Sequence, residues 1–202
     1  MLSADRLYLR ATRVRAFAAT VLMAISVGVG IARATTYAPL TFDGLVAKAD
    51  VIFVGDVVDV RPYVLRTREG SIIKTRVTFR VADPIYGTTS LVEVFDFLGG
   101  ESNGIGMAVA GMPTFAIGDH RLVFARHDRS INPIVGFRQG LLDVERDVNG
   151  VERVLTLEGT PVSGPEAFGA SGRRAGATRA DAMRLIDFRA RIAAQLAAVH
   201  RQ

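Results

Sequence analysis

Between Ser71 and Asp83 the chain alternates without a break: Ile73, Thr75, Val77, Phe79 and Val81 fall on one side, Ile72, Lys74, Arg76, Thr78 and Arg80 on the other. A period of two with one apolar and one polar row specifies a long, half-buried antiparallel strand. Ser90–Leu98 repeats the pattern, setting Leu91, Glu93, Phe95 and Phe97 against Val92, Val94, Asp96 and Leu98. Val51–Val60 is instead a nearly continuous β-branched run around Gly55, a residue that inside a strand marks a bulge or tight bend. Short strands are also expected at Arg121–Arg126 and Pro133–Phe137. Leu141–Glu145 and Val151–Leu157 read as a hairpin joined at Asn149-Gly150, a pair suited to a type I′ turn. No strand–helix–strand rhythm occurs. The class is mainly β, an antiparallel barrel or sandwich.

The connections are read from punctuation. Thr41–Ala49 spaces Phe42, Leu45, Val46 and Ala49 as a short amphipathic helix, broken at Asp50. Arg61–Gly70 is polar and turn-like, and Asp83-Pro84 begins a turn with Gly87 near its end. Gly99–Gly118 is glycine-rich, irregular and long for a connection, hence functional or mobile. The glycines and prolines after Leu157 indicate a linker over residues 159–179. A final helix follows within 180–202, over Ala180–Val199, capped by Thr178 or Asp181. Its apolar stripe would be Met183, Ile186, Ile192, Leu196 and Val199.

Residues 13–34 have the order of a secretory signal: Arg13 and Arg15, the apolar run Ala16–Ala32, then the small-x-small site Ala32-Arg33-Ala34. The expectation is a signal peptide over 1–34, cleaved between Ala34 and Thr35, and a periplasmic or extracellular product. An uncleaved anchor is the alternative, because the run just reaches the lower limit of a membrane span. Removing the segment changes the electrostatics. The whole chain carries a formal +5, yet residues 35–202 hold 20 basic and 19 acidic groups. The case for nucleic acid as a partner disappears with the leader. The chain has no cysteine, which excludes disulfides, thiolate metal sites and a lipidated terminal cysteine.

Five constellations bear on chemistry. Gly100-Glu101-Ser102-Asn103-Gly104 fits G-x-S-x-G, making Ser102 a candidate nucleophile, completed by Asp119 or Asp128 with His120, His127 or His200. A nucleophile elbow needs a helix directly after its serine, and here glycines and Pro113 follow. Gly99, Gly100, Gly104, Gly106 and Gly111 match neither phosphate-binding glycine motif. His120 and His127 flank a strand beside Asp119 and Asp128, one ligand short of a persuasive metal site. Glu93 and Asp96, three apart on one strand, point to opposite faces and make a poor acid/base pair. Arg184, Arg189 and Arg191 beside Phe188 suit either docking on the sheet or a membrane surface. No cofactor and no metal are expected.

Taken together, Leu45–Val57, Lys74–Gly87, Gly111-Met112-Pro113 through Phe124, and Gly136–Val144 resemble exported bacterial proteins with an OB-like barrel, itself similar to the netrin-like domain of tissue inhibitors of metalloproteinases. The resemblance implies a small antiparallel OB-like barrel over 35–158, with a short helix before it and an amphipathic helix after it. In the inhibitors the mature terminus, a cysteine, approaches the protease zinc. Here Thr35-Thr36-Tyr37 would occupy that place. The functional expectation is an exported, non-enzymatic binding module acting by protein–protein contact. Its contact residues would be Thr35, Thr36, Tyr37, Gly99, Gly100, Gly104 and Gly106, and an exported metalloprotease is one candidate partner. The alternatives are a serine hydrolase using Ser102 and a membrane-surface structural protein. Membrane contact would run only through the signal segment or the final helix.

Overall fold

The computed structural model describes residues 38–128, 130–168 and 178–199. The signal segment, its cleavage site, Thr35, Thr36, Tyr37 and His200 lie outside the described residues. The first element is helix α1, Phe42–Lys48, whose N-cap Thr41 accepts a hydrogen bond from the Gly44 N–H at 3.1 Å. Six strands form one antiparallel sheet: β1 (Val51–Thr67), β2 (Gly70–Tyr86), β3 (Val92–Leu98), β6 (His120–Ala125), β7 (Leu141–Arg146) and β8 (Glu152–Thr156). Two short strands, β4 (Gly100–Ser102) and β5 (Ile105–Met107), form a separate hairpin. Helix α2, Leu185–Val199, ends the described chain.

The protein is therefore mainly β, as expected, but the sheet does not close into a barrel. Its order is β3-β2-β1-β6-β7-β8, and no ladder joins β3 to β8. Instead the segment after β6 crosses to β3, where the Leu98 N–H donates to the Ile131 carbonyl at 2.9 Å.

The apolar run that opens β1 is explained by burial on both faces. Ile52 and Val54 join Leu122, Phe124, Leu142, Val144 and Val154 under α1 and α2, forming an outer core. Val51, Phe53 and Val57 join Val77, Phe79, Phe95, Phe97, Val123 and Leu141 in an inner core on the opposite face. Gly55 lies at a register shift, where a Cβ would come within 2.8 Å of the Arg80 carbonyl oxygen. The expected bulge is present.

Several connections depart from expectation. Arg61–Thr67 is not a turn but the far half of β1, paired with the start of β2 and running out from Val64 as a two-stranded ribbon. β6 pairs with β1 only as far as Asp56, so Pro62 sits where β1 is an edge strand and a missing N–H is tolerated. Pro84 is likewise inside β2, beyond the last β3 partner at Arg80, and the turn comes at Gly87. Pro133–Phe137 is no strand. Only Ala125 and Ile134 bridge before Gly136 and Phe137, both at φ 64, turn the chain back.

At the C-terminal side, part of the expected linker is packed rather than free. Pro161 bridges Leu155, Val162 is buried, and the Phe168 ring lies 5.9 Å from those of Phe42 and Phe188. The final helix begins at Leu185, not Ala180. Met183 donates to the Val162 carbonyl and accepts from the Val154 N–H, which ties it to the sheet edge in extended form. A capped 3-10 turn at Arg179–Asp181 precedes it. The buried stripe of α2 is Leu185, Phe188 and Ile192; Ile186 and Val199 are exposed.

Candidate functional site

The sheet has two edges, and they differ. At β8 the edge is occupied: Thr156 N–H donates to the Thr160 carbonyl, Val154 N–H to that of Met183, and Arg153 bridges Arg184. At β3 the edge is open along most of its length. Leu98 points its N–H away from β2, so Val92, Val94 and Asp96, in the same phase, do too. None of these three N–H groups has an acceptor among the described residues. The side chains flanking this open edge are apolar. Leu91 is 80% exposed and Val92 and Val94 are 48% each, and Ile131, bonded to Leu98 at the other end of β3, is exposed as well. An unpaired row of donors and acceptors set among apolar side chains is a template for an added strand.

The inner face of β3 carries a polar cluster that the sequence reading passed over. Glu93 is only 8% exposed; its carboxylate accepts from the Thr88 hydroxyl and meets His127 Nε2 at 3.2 Å. The His127 ring stacks on Phe95 at 5.9 Å, and its backbone N–H donates to Asp50 Oδ2 at 2.9 Å. This cluster pins the crossing segment to β3. The signal was present: Glu93 is the one charge in the apolar row Leu91, Glu93, Phe95, Phe97, and a buried carboxylate needs partners.

On the outer face, beyond the part of β1 and β2 that α1 and α2 cover, charges pair across the ladder. Arg76 makes two hydrogen bonds of 2.9 Å to Asp96, whose Oδ2 also accepts from the Tyr63 hydroxyl at 3.0 Å. These contacts, Arg76 first, hold the Asp96 carboxyl below its ordinary value, while burial and then Asp96 push the Tyr63 phenol up. Asp56 is gripped by Arg80 at 2.8 Å and by His120 Nδ1 at 2.6 Å, and its carboxyl is also lowered, Arg80 contributing most. Carboxylates lowered in the folded state stabilise it above their ordinary value of 3.8, and that contribution is lost as pH falls through the lowered folded value. Urea midpoints measured across pH 3.8 are expected to drop toward acid, and Asp96→Asn to flatten that drop while lowering the neutral-pH midpoint. A variant with the wild-type slope would remove Asp96 from the account.

The expected site residues are placed as follows. Gly100-Glu101-Ser102-Asn103-Gly104 is a β-hairpin, with Asn103 at φ 54 and Gly104 at φ 75 turning the chain directly from β4 into β5. No helix follows Ser102, so the geometry of a nucleophile elbow is not built. Gly99 anchors the loop: its N–H donates to the Ile73 carbonyl at 2.8 Å and its carbonyl accepts from Thr75 Oγ1 at 2.7 Å. Gly100 pairs with Met107 and Gly106 with Glu101, and Ile105 is exposed. His120 and His127 are not brought together, since one joins Asp56 and the other Glu93. Asp119 serves Arg121, and Asp128 serves Arg126. Among the described residues no group of three His, Asp or Glu side chains is arranged to hold a metal, and no helix is long and apolar enough to cross a membrane. No protein-family model, curated protein or solved structure matches this chain.

Proposed function

We propose that this chain is an exported, non-enzymatic binding module that holds a protein partner along the β3 edge, beside the Gly99–Gly118 loop. The observation that carries the reading is the asymmetry of the sheet: β8 is covered by the chain's own backbone, whereas β3 presents three N–H groups that have no acceptor among the described residues, flanked by Leu91, Val92 and Val94. A partner segment in extended form would gain main-chain hydrogen bonds there and bury those side chains. The signal-like segment supports export. The resemblance to the metalloproteinase-inhibitor domain favours an exported metalloprotease as the partner class, with Thr35, Thr36 and Tyr37 as additional contacts.

The test uses wild-type protein and a Val92→Lys, Val94→Lys double variant as baits against the envelope fraction. Both positions are exposed, so the folded state is expected to lose no more than about 0.5 kcal/mol per site. Saturable capture of a partner by wild type, lost in the variant, is the expected result. Equal capture by both moves the contact away from β3, and no saturable capture by either overturns the reading.

A further inference from the structure

The chain has three asparagines, and each is followed by a residue that decides its chemistry: Asn103-Gly104, Asn132-Pro133 and Asn149-Gly150. An asparagine side chain can be attacked at Cγ by the backbone nitrogen of the next residue. Glycine is the most permissive follower because it has no Cβ, and proline has no N–H to lose. Asn132 is buried and precedes proline, so it is inert by this route.

The two Asn-Gly pairs are held differently. In the β7–β8 connection, Gly150 N–H donates to the Asp147 carbonyl at 2.9 Å, and Asp147 Oδ1 accepts from the N–H groups of Asn149 and Val151 at 2.9 and 3.0 Å. Arg153 Nε holds the same carboxylate at 3.0 Å. The nucleophile of this pair is engaged, and five register pairs stand behind the turn. In the β4–β5 hairpin, Ser102 pairs with Ile105, so the closing bonds belong to them and Gly104 N–H has no acceptor among the described residues. Nothing lies within 4 Å of a Cβ at Gly104. Only three register pairs hold this hairpin, so the local opening that frees the Asn103 backbone to rotate requires little.

We propose that Asn103 is a self-modifying site whose only co-reactant is water. The Gly104 nitrogen loses its proton and bonds to Asn103 Cγ; the Cγ–N bond of the side-chain amide breaks, and ammonia leaves with that proton. Water then opens the cyclic imide at one of its two carbonyls, giving an aspartyl or an isoaspartyl residue. One ammonia departs and one water is consumed on balance, with no change in oxidation state. The product carries a new negative charge at the hairpin tip. In its isoaspartyl form it adds a backbone atom to a turn whose central residues need positive φ, so β4–β5 pairing is lost. The inference goes beyond the binding reading and does not depend on it.

The test incubates the intact chain in mildly alkaline buffer made with heavy-oxygen water, followed by proteolytic peptide mapping with mass spectrometry. In the folded protein the Asn103 peptide is expected to convert about tenfold faster than the Asn149 peptide, the ratio that ~1.4 kcal/mol of differential protection gives. Each product should hold one labelled oxygen. In urea the two rates should converge, and Asp147→Ala should raise the Asn149 rate in the folded chain. Equal or reversed rates in the folded protein overturn the proposal. So does a difference that persists in urea, or an Asn149 rate unmoved by Asp147→Ala.

Discussion

Phe53→Ala is expected to destabilise the protein by about 3–5 kcal/mol, the usual cost of deleting a fully buried phenylalanine ring. Phe53 has no exposed surface, and its ring meets Phe79 edge-on at 5.7 Å and lies parallel to Phe95 at 6.4 Å. Phe79 and Phe97 in turn contact Phe115 in the glycine-rich loop. The cavity would open in an aromatic chain in which Phe79, Phe95 and Phe97 are fixed on β2 and β3 and cannot collapse into it. A domain of this size is stable by only about 5–15 kcal/mol, so the variant should lie near the limit of folding. Urea unfolding followed by circular dichroism measures the loss. A cost below 1 kcal/mol would mean that the inner core repacks freely, contrary to the arrangement described.

The second large effect is expected at Gly87. Its φ of +72 is disfavoured for any L side chain, and a Cβ would overlap the Asp50 carbonyl oxygen, 2.9 Å from the carbonyl carbon and 3.2 Å from Val51 Cα. Relief requires moving the backbone at Asp50, whose N–H pairs with the Ala125 carbonyl and whose carboxylate holds the His127 N–H. Gly87→Ala is therefore expected to cost about 2–5 kcal/mol, from a positive-φ penalty of about 1–2 and an overpacking penalty of about 1–3. Gly159→Ala separates the two contributions. Gly159 has φ +74 but open space around it, so only the first should appear. Equal losses in the two variants would show that the clash at Asp50 is relieved without effort.

The parts of the fold legible in sequence were those where one face is wet and the other dry. β3 is the clearest instance: Glu93, Phe95 and Phe97 are buried while Val92 and Val94 are exposed, as its alternation predicts. The apolar run at Val51–Val54 is legible as a strand, but its burial on both faces comes from the structure. What escaped was structure held by the backbone alone. The outer half of β1 is exposed on both faces, so Arg61–Thr67 carries no hydrophobic period and its polar residues read as a turn. β4 and β5 are three residues each, too short for any pattern to register. The hairpin expected at Asn149-Gly150 is present as β7–β8, but without the tight type I′ turn. Asn149-Gly150 belongs to a longer connection organised by Asp147, and the tight two-residue turn is Asn103-Gly104, inside a motif that had suggested a nucleophile. The α2 stripe was shifted because Met183 is claimed by the sheet edge, leaving Phe188 to face Phe42. As for the site, Glu93 shares a row with Leu91, Phe95 and Phe97 but is weighed in the sequence only against Asp96, and its partner His127 is distant in sequence. The open edge could not be read at all, since which strand lies outermost is a property of topology.

That topology also bears on how the chain folds. β1–β2–β3 and β6–β7–β8 are two meanders in which each ladder joins strands that are neighbours along the sheet-forming chain. Among the described residues the one ladder between them is the pairing of Val51–Asp56 with His120–Ala125. Asp56 and His120, the last partners in that ladder, are 64 positions apart. Bringing them together costs about 3–4 kcal/mol in the length-dependent part of loop closure. Nothing is recovered until the two-sided segment of β1 is enclosed. The slow event in folding is expected to be the meeting of two locally assembled halves, during which the facing edges of β1 and β6 are unpaired.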